Sequence, residues 1–324
     1  MVYLPVGVTF VTVWNTSRKE SSSVDKFLAR IAYVFAAAVA RTPWTMQRFV
    51  ADAVGGFLQD RNTRIARSTK RNLELVYPQM PGQDENARRI LQTTVMQGLE
   101  TLKFWTTPTA RNLQRIRRVN GEALLDDAIA AGGGVIIAAP HYGNWELLNQ
   151  WLAEKTPIAV LYAPPDAKAA EEFLNIVRDN ENDRVTQVRA DGASGVRTLL
   201  KILKQGGVIG ILPDQQPKVG DGEYAPFFDY PALTMTLLSK LAQKTKATVI
   251  MAYCERVDAK ALQFEVHLEA ADSAIYSDNL VESVAALNRS VEKVARRDFL
   301  QYQWTYKRFT KQVGDRNPYF PDCY

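Results

Sequence analysis

Four short apolar runs limit what this chain can fold into more than any other feature of it. They are "GVIIAAP" (134–140), "PIAVLYAP" (157–164), "GVIGILPD" (207–214) and "ATVIMAYCERV" (247–257). A run that is apolar at successive positions suits a strand buried on both faces of a parallel sheet. Between the first three lie stretches with helical spacing: "WELLNQWLAEK" (145–155), "DAKAAEEFLNIVRDNEN" (166–182) and "SGVRTLLKILKQ" (194–205). A further strand, "VTQVRA" (185–190), separates the last two. "ALTMTLLSKLAQKT" (232–245) reads as another helix, "LQFEVHLEA" (262–270) as an antiparallel partner strand, and 279–298 as a long closing helix. This alternation predicts an α/β fold. A mainly parallel central sheet is flanked by helices on both faces, with a helical N-terminal extension.

That extension covers residues 1–60, and 61–324 forms the rest. Residues 2–17 are uncharged but contain a proline and lack the basic start of a secretory signal. Residues 24–58 have helical spacing with a break at "TPW" (42–44). Phe27, Ile31, Val34, Phe35 and Ala38 share one side, with Lys26, Arg30 and Arg41 opposite. Two readings fit: a helix lying in a membrane interface, or a surface helix packed on the domain. No segment offers the roughly 20 charge-free apolar residues of a free-standing span. Arg61, Arg64, Arg67 and Arg71 then recur at helical intervals, as a solvated face or a dock for an acidic partner. Residues 78–85 form a loop, and a second helical run covers 84–104.

The net charge of +5 favours anionic partners: phosphates, an anionic membrane surface or an acidic carrier protein. No zinc-finger, homeodomain or RNA-recognition pattern accompanies it, so nucleic acid is not expected. With only Cys254 and Cys323, no disulfide framework can be read, and Cys254 is expected to be a buried structural thiol. The chain has no HExxH and no CxxC, so neither a metal site nor a cofactor is expected. "GGG" (132–134) lacks the spacing and lysine of a phosphate loop and is read as a turn.

Chemistry concentrates at "HYGNWE" (141–146). Residues five apart on one straight helix are turned roughly 140° from each other. His141 and Glu146 can therefore meet only if the strand ends near His141, turns at Gly143–Asn144 and enters a helix by Trp145. A carboxylate could then fix the imidazole tautomer while the other ring nitrogen accepts a proton. Such a pair is equally compatible with a structural contact. Asp214, in "ILPDQQP", ends another strand, and ligands of open parallel sheets sit at the carboxyl ends of strands. His267, in an alternating strand, is read as structural.

"HYGNWE" has the H-x4-E form, and it stands in an ordered set with "FLNIVRD", "DGASGVRTLLKILKQGGVIGILPDQQP", "APFFDYPALTMT" and "QYQWTYKRF". This set resembles the glycerolipid and lysophospholipid acyltransferase superfamily. The likeness is greatest to its branch of late acyltransferases of bacterial lipid A biosynthesis, over about residues 25–310. The resemblance implies transfer of a fatty acyl chain from an acyl thioester to a hydroxyl of a lipid A precursor. In it His141 is the general base, Glu146 its orienting partner, and no covalent enzyme intermediate forms. It further implies that Asn175 and Arg178 hold an anionic part of a substrate and that Asp214 and Gln215 bind the acceptor. Phe227 and Phe228 line the lipid path or belong to the core. The implied donor is an acyl carrier protein, or acyl-coenzyme A, acting as co-substrate. The acceptor is an anionic membrane glycolipid at the cytoplasmic face of a bacterial inner membrane. The chain departs from the pattern at Ala163, Asp229 and Met251, where relatives often carry arginine, glycine and proline. A thioesterase or lipid hydrolase, and a non-catalytic lipid- or carrier-binding module, are the alternatives.

Overall fold

A computed structural model describes residues 22–178, 184–190, 192–218 and 220–310. The uncharged segment 2–17 lies outside the described residues. Four helices open the described chain: α1 (Ser23–Arg41), α2 (Trp44–Asp60), α3 (Arg64–Val76) and α4 (Gln83–Thr106). Pro43 breaks the first pair, as "TPW" predicted, and Ser22 starts α1 with a capping box closed by Asp25. The order then runs α5 (Thr109–Leu113), β1 (Ile116–Asn120), α6 (Glu122–Ala130), β2 (Val135–Ala138), α7 (Trp145–Lys155) and β3 (Ile158–Tyr162). It continues with α8 (Lys168–Arg178), β4 (Val185–Arg189), α9 (Ala193–Lys204) and β5 (Val208–Ile211). Last come β6 (Gly222–Phe227), β7 (Tyr230–Met235), α10 (Leu237–Thr245), β8 (Thr248–Asp258), β9 (Gln263–Ala270) and α11 (Leu280–Ala295).

The central sheet has seven strands in the order β1-β9-β8-β2-β5-β3-β4. All neighbours are parallel except β8 and β9, which run antiparallel. β2 and β5 are buried at every position, which is why their sequences show no alternation. Apolar cores line both faces of the sheet, so the predicted fold class is the observed one.

Three readings are corrected. The first part of "ALTMTLLSKLAQKT" is strand β7, paired antiparallel with β6 through a two-residue turn at Phe228–Asp229. Both turn residues have positive φ, as a type I′ hairpin turn requires. Without an Asn-Gly or Asp-Gly signal the hairpin was not legible. It also accounts for the departure at Asp229, since φ of 66° is a position that glycine fills most easily and aspartate tolerates. The arginine series is not one face. Arg64, Arg67 and Arg71 are on α3, whereas Arg61 caps the end of α2 across a turn and lies over the Phe57 ring. Finally, β1 and α6 precede the run of strands read from the sequence. Polar, arginine-bearing β1 is an edge strand, where charge discourages further pairing.

Helix α1 is inverted relative to an ordinary surface helix. Its buried face is Ala29, Ala36, Ala37 and Ala40, packed towards α4 and α8, while Phe27, Leu28, Ile31, Val34 and Phe35 face outward. On α2, Met46, Phe49, Val54 and Phe57 are likewise exposed. Among the described residues, every exposed large apolar side chain except Val257 and Val281 lies on these two helices. No described helix is long and apolar enough to cross a membrane.

Candidate active site

Strands β2 and β5 are neighbours, with Ala138 opposite Ile211 in the register. Three residues beyond these partners lie His141 and Asp214, each directly after a proline, Pro140 and Pro213. Proline has no N–H to extend a ladder, so both strands stop there and both following side chains project at the carboxyl edge of the sheet. Asp214 then grips His141 twice. One carboxylate oxygen accepts the ring Nδ1–H at 2.7 Å and the other accepts the His141 main-chain N–H at 2.8 Å. Burial alone would push the Asp214 carboxyl up, but His141 and these hydrogen bonds together hold it below its ordinary value. Tyr302 faces the same carboxylate. Burial, then that negative charge, keep its phenol protonated. The imidazole itself stays partly open, at 17% side-chain exposure against 3% for Asp214.

A carboxylate can only accept, so Nδ1 carries the proton and Nε2 is the accepting nitrogen. The amide nitrogen of Gln215 stands 3.2 Å from Nε2 and donates its other N–H to Oε1 of Gln303 at 3.2 Å. A small cavity lies beside this chain of polar groups, lined by Asn72, Asp214, Gln215, Tyr302, Gln303 and Arg308. Gln303 and Tyr302 come from the aromatic-basic tail. It closes on the turn that begins at His141 through the Gln303 N–H to the His141 carbonyl and a bridge between Tyr142 and Tyr302.

Between His141 and α7 the chain reverses as the spacing predicted. Gly143 has φ of 61°, and a Cβ there would stand 2.0 Å from the Cys254 carbonyl, so glycine is required. Asn144 caps α7 by accepting the Leu147 N–H. The turn is held from outside. Gln97 on α4 donates to the carbonyls of Gly143 and Gln301, and Glu100, fully buried, accepts from Asn144 and from the Arg256 guanidinium. Burial pushes the Glu100 carboxyl above its ordinary value, and Arg256 and Asn144 pull it back only in part. The turn's own N–H groups are spent. His141 donates to Asp214, Tyr142 to the Pro140 carbonyl, Gly143 to Gln301 and Asn144 to Cys254.

The structure therefore brings His141, Asp214 and Gln215 together at one edge. The imidazole contact expected of Glu146 is made, at Nδ1, by Asp214. Glu146 sits in the first turn of α7 and is buried. Asp214, expected to bind the acceptor, lies beneath the imidazole. Asn175 is half-buried on α8, and Arg178 ends that helix, its side chain being outside the described part of the structure. Phe227 and Phe228 are almost completely buried in an aromatic cluster with Tyr77, Trp304 and Phe309, the core alternative of the two. Cys254 is a buried free thiol, and His267 is stacked on Tyr253 away from the site. Among the described residues no group of three His, Cys, Asp or Glu side chains could hold a metal ion. Gln303, Tyr302, Glu100 and Arg256 were missed. Only the dense polar-aromatic character of "QYQWTYKRF" hinted at the first two, and nothing local marks the others.

Comparison with known proteins agrees with the motif set. The family model described as bacterial lipid A biosynthesis acyltransferase matches residues 16–311. The chain is 24% identical to the lipid A biosynthesis palmitoleoyltransferase of Escherichia coli K12 over 288 residues, 86% of this chain and 89% of that one. It is 22% identical to the lipid A biosynthesis lauroyltransferase of the same organism, over 76% of this chain and 79% of the relative. A phosphatidylinositol mannoside acyltransferase of Mycobacterium tuberculosis is 26% identical over 45% of each chain.

Proposed function

The chain belongs to the bacterial lipid A biosynthesis acyltransferase family and is an O-acyltransferase, and from that premise we propose the reaction it performs. A fatty acyl chain passes directly from an acyl thioester to a hydroxyl of a lipid A precursor, with His141 as the general base. The observation that carries this reading is the Asp214–His141 pair at a sheet edge, with a partly exposed imidazole whose Nε2 stands beside the Gln215 amide. As the lipid oxygen attacks the thioester carbon, its proton moves to Nε2. The imidazolium, stabilised by Asp214, returns that proton to the departing thiolate as the tetrahedral species collapses. Such a base contributes typically about 10²–10⁴-fold, and holding two bound substrates in line supplies much of the remainder.

The donor in this reading is an acyl carrier protein, whose acidic surface complements exposed arginines such as Arg61, Arg64 and Arg67, or Arg117 and Arg118. The acceptor is an anionic glycolipid, its phosphates met by Arg178 and Asn175. Incubating the full chain with an acyl carrier protein thioester and a phosphorylated lipid A precursor tests it by mass spectrometry. The precursor is expected to gain the mass of one acyl group. Release of free fatty acid with no gain by the lipid would make the enzyme a thioesterase instead.

The outward apolar faces of α1 and α2, with Lys26, Arg30 and Arg41 exposed beside them, support docking on an anionic bilayer, as at a bacterial inner membrane's cytoplasmic face. A ring of phenylalanine size contributes about 1.5–3 kcal/mol when fully buried. The double change Phe35→Asp and Phe49→Asp is therefore expected to weaken co-sedimentation with anionic phospholipid vesicles by at least about tenfold, since about 1.4 kcal/mol is one decade. Vesicle binding equal to that of the unaltered chain would remove α1 and α2 from the docking face.

A further inference from the structure

Direct transfer leaves a negative charge on the former carbonyl oxygen of the thioester, and that charge needs a donor. Main-chain N–H groups in the turn after the histidine would be the natural source. Here those of His141, Tyr142, Gly143 and Asn144 are all committed to other acceptors, and Pro140 has none. We propose that the side-chain amide of Gln215 is the oxyanion donor and that Gln303 is its positioning residue.

The chemistry of the chain of hydrogen bonds fixes which way the Gln215 amide faces. Asp214 only accepts, so His141 donates from Nδ1 and accepts at Nε2. The group opposite Nε2, 3.2 Å away, must then be the NH₂ of Gln215. Its second N–H is held by Gln303 Oε1 at 3.2 Å, which leaves one N–H directed at the place where reaction occurs. When the lipid hydroxyl arrives it takes over the Nε2 lone pair and displaces that N–H. The carbonyl oxygen lies one atom beyond the attacked carbon, so it becomes the nearest new acceptor. The C–O bond forms, the carbonyl π pair moves to this oxygen, and the hydroxyl proton goes to Nε2. On collapse the pair returns, the C–S bond breaks, and the thiolate takes the proton from His141. The Gln215 N–H thus exchanges a neutral acceptor for an anionic one between ground state and transition state, which is the condition for raising kcat.

This inference rests on the acyl transfer proposed above. Its test compares Gln215→Ala, the isosteric acceptor-only Gln215→Glu, and Gln303→Ala in the full chain. The rates are those of transfer from an acyl carrier protein thioester to a phosphorylated lipid A precursor, and of thioester hydrolysis without the lipid. Loss of an oxyanion donor costs on the order of 10²–10³-fold in kcat. Both Gln215 variants are expected to lose that much, with the acceptor KM changed less than about threefold and hydrolysis falling in the same ratio, because water attack builds the same oxyanion. Gln303→Ala is expected to lose about tenfold, and the double variant no more than Gln215→Ala alone, as for residues acting as one unit. A raised acceptor KM with kcat and hydrolysis intact would make Gln215 an acceptor-binding residue and overturn the proposal. Unaltered circular dichroism and thermal midpoints, expected for a half-exposed side chain, separate these results from unfolding. An unaltered chain that hydrolyses the thioester and acylates no lipid would sink the transfer reading, while hydrolysis by the Gln215 variants would still decide this one.

Discussion

Replacement of His141 by alanine is expected to lower kcat for acyl transfer by about 10²–10⁴-fold, the range a positioned base supplies. The acceptor KM should stay close to that of the unaltered chain, because the imidazole acts on the proton rather than on the lipid's binding groups. Asp214→Asn should fall in the same range for a different reason. An amide can donate to Nδ1, which would place the ring proton on Nε2 and remove the acceptor proposed to take the lipid's proton. Glu146→Gln should cost less, since the Nδ1 contact belongs to Asp214. Single-turnover rates on the three variants decide this. Normal turnover by Asp214→Asn together with a collapse in Glu146→Gln would return the orienting role to Glu146. The pH dependence follows from the sign of the Asp214 shift. A carboxyl held below its ordinary value is fully charged above that ordinary value. Its grip on His141, and the stability it contributes, is lost only as pH falls through the lower folded value.

The second large effect concerns stability. Arg256→Met would leave the Glu100 carboxyl in a dry interior without its cation, and removing one member of a buried pair typically costs about 3–5 kcal/mol. Because Glu100 also accepts from the Asn144 amide at the start of α7, the loss should reach the His141 turn. Urea unfolding monitored by circular dichroism should show the lowered midpoint. Replacing both partners, Glu100→Met with Arg256→Met, should recover much of the stability, because no isolated buried charge remains. Recovered stability without recovered kcat would mark the pair as a support for the His141 turn. A single Arg256→Met variant with an unaltered midpoint would show that the pair contributes nothing to the fold.

The two predictions divide along the line between what local sequence carries and what it does not. The strands around 135–138 and 208–211 were legible because burial on both faces removes every polar residue from them. The turn at Gly143–Asn144 and the start of α7 at Trp145 were legible because backbone reversal and capping need particular residue types in a particular order. The β6–β7 hairpin was not, because its turn is built from Phe228 and Asp229, which carry no turn signal. Glu100 and Arg256 lie 156 positions apart, and neither has a neighbour in sequence that marks it.

Sequence by itself determined the fold class and the family and singled out His141, since each rests on short-range order: periodicity, motif spacing, and an imidazole at a strand end. Only the tertiary structure decided which acid holds that imidazole. His141 and Asp214 are 73 residues apart, and they meet because β5 pairs with β2 in a register that carries each three residues past a matched pair. Strand neighbours and register come from packing summed over the whole sheet. A carboxylate five positions away along the chain was therefore the easier one to see, while the one holding the ring reached it across the sheet.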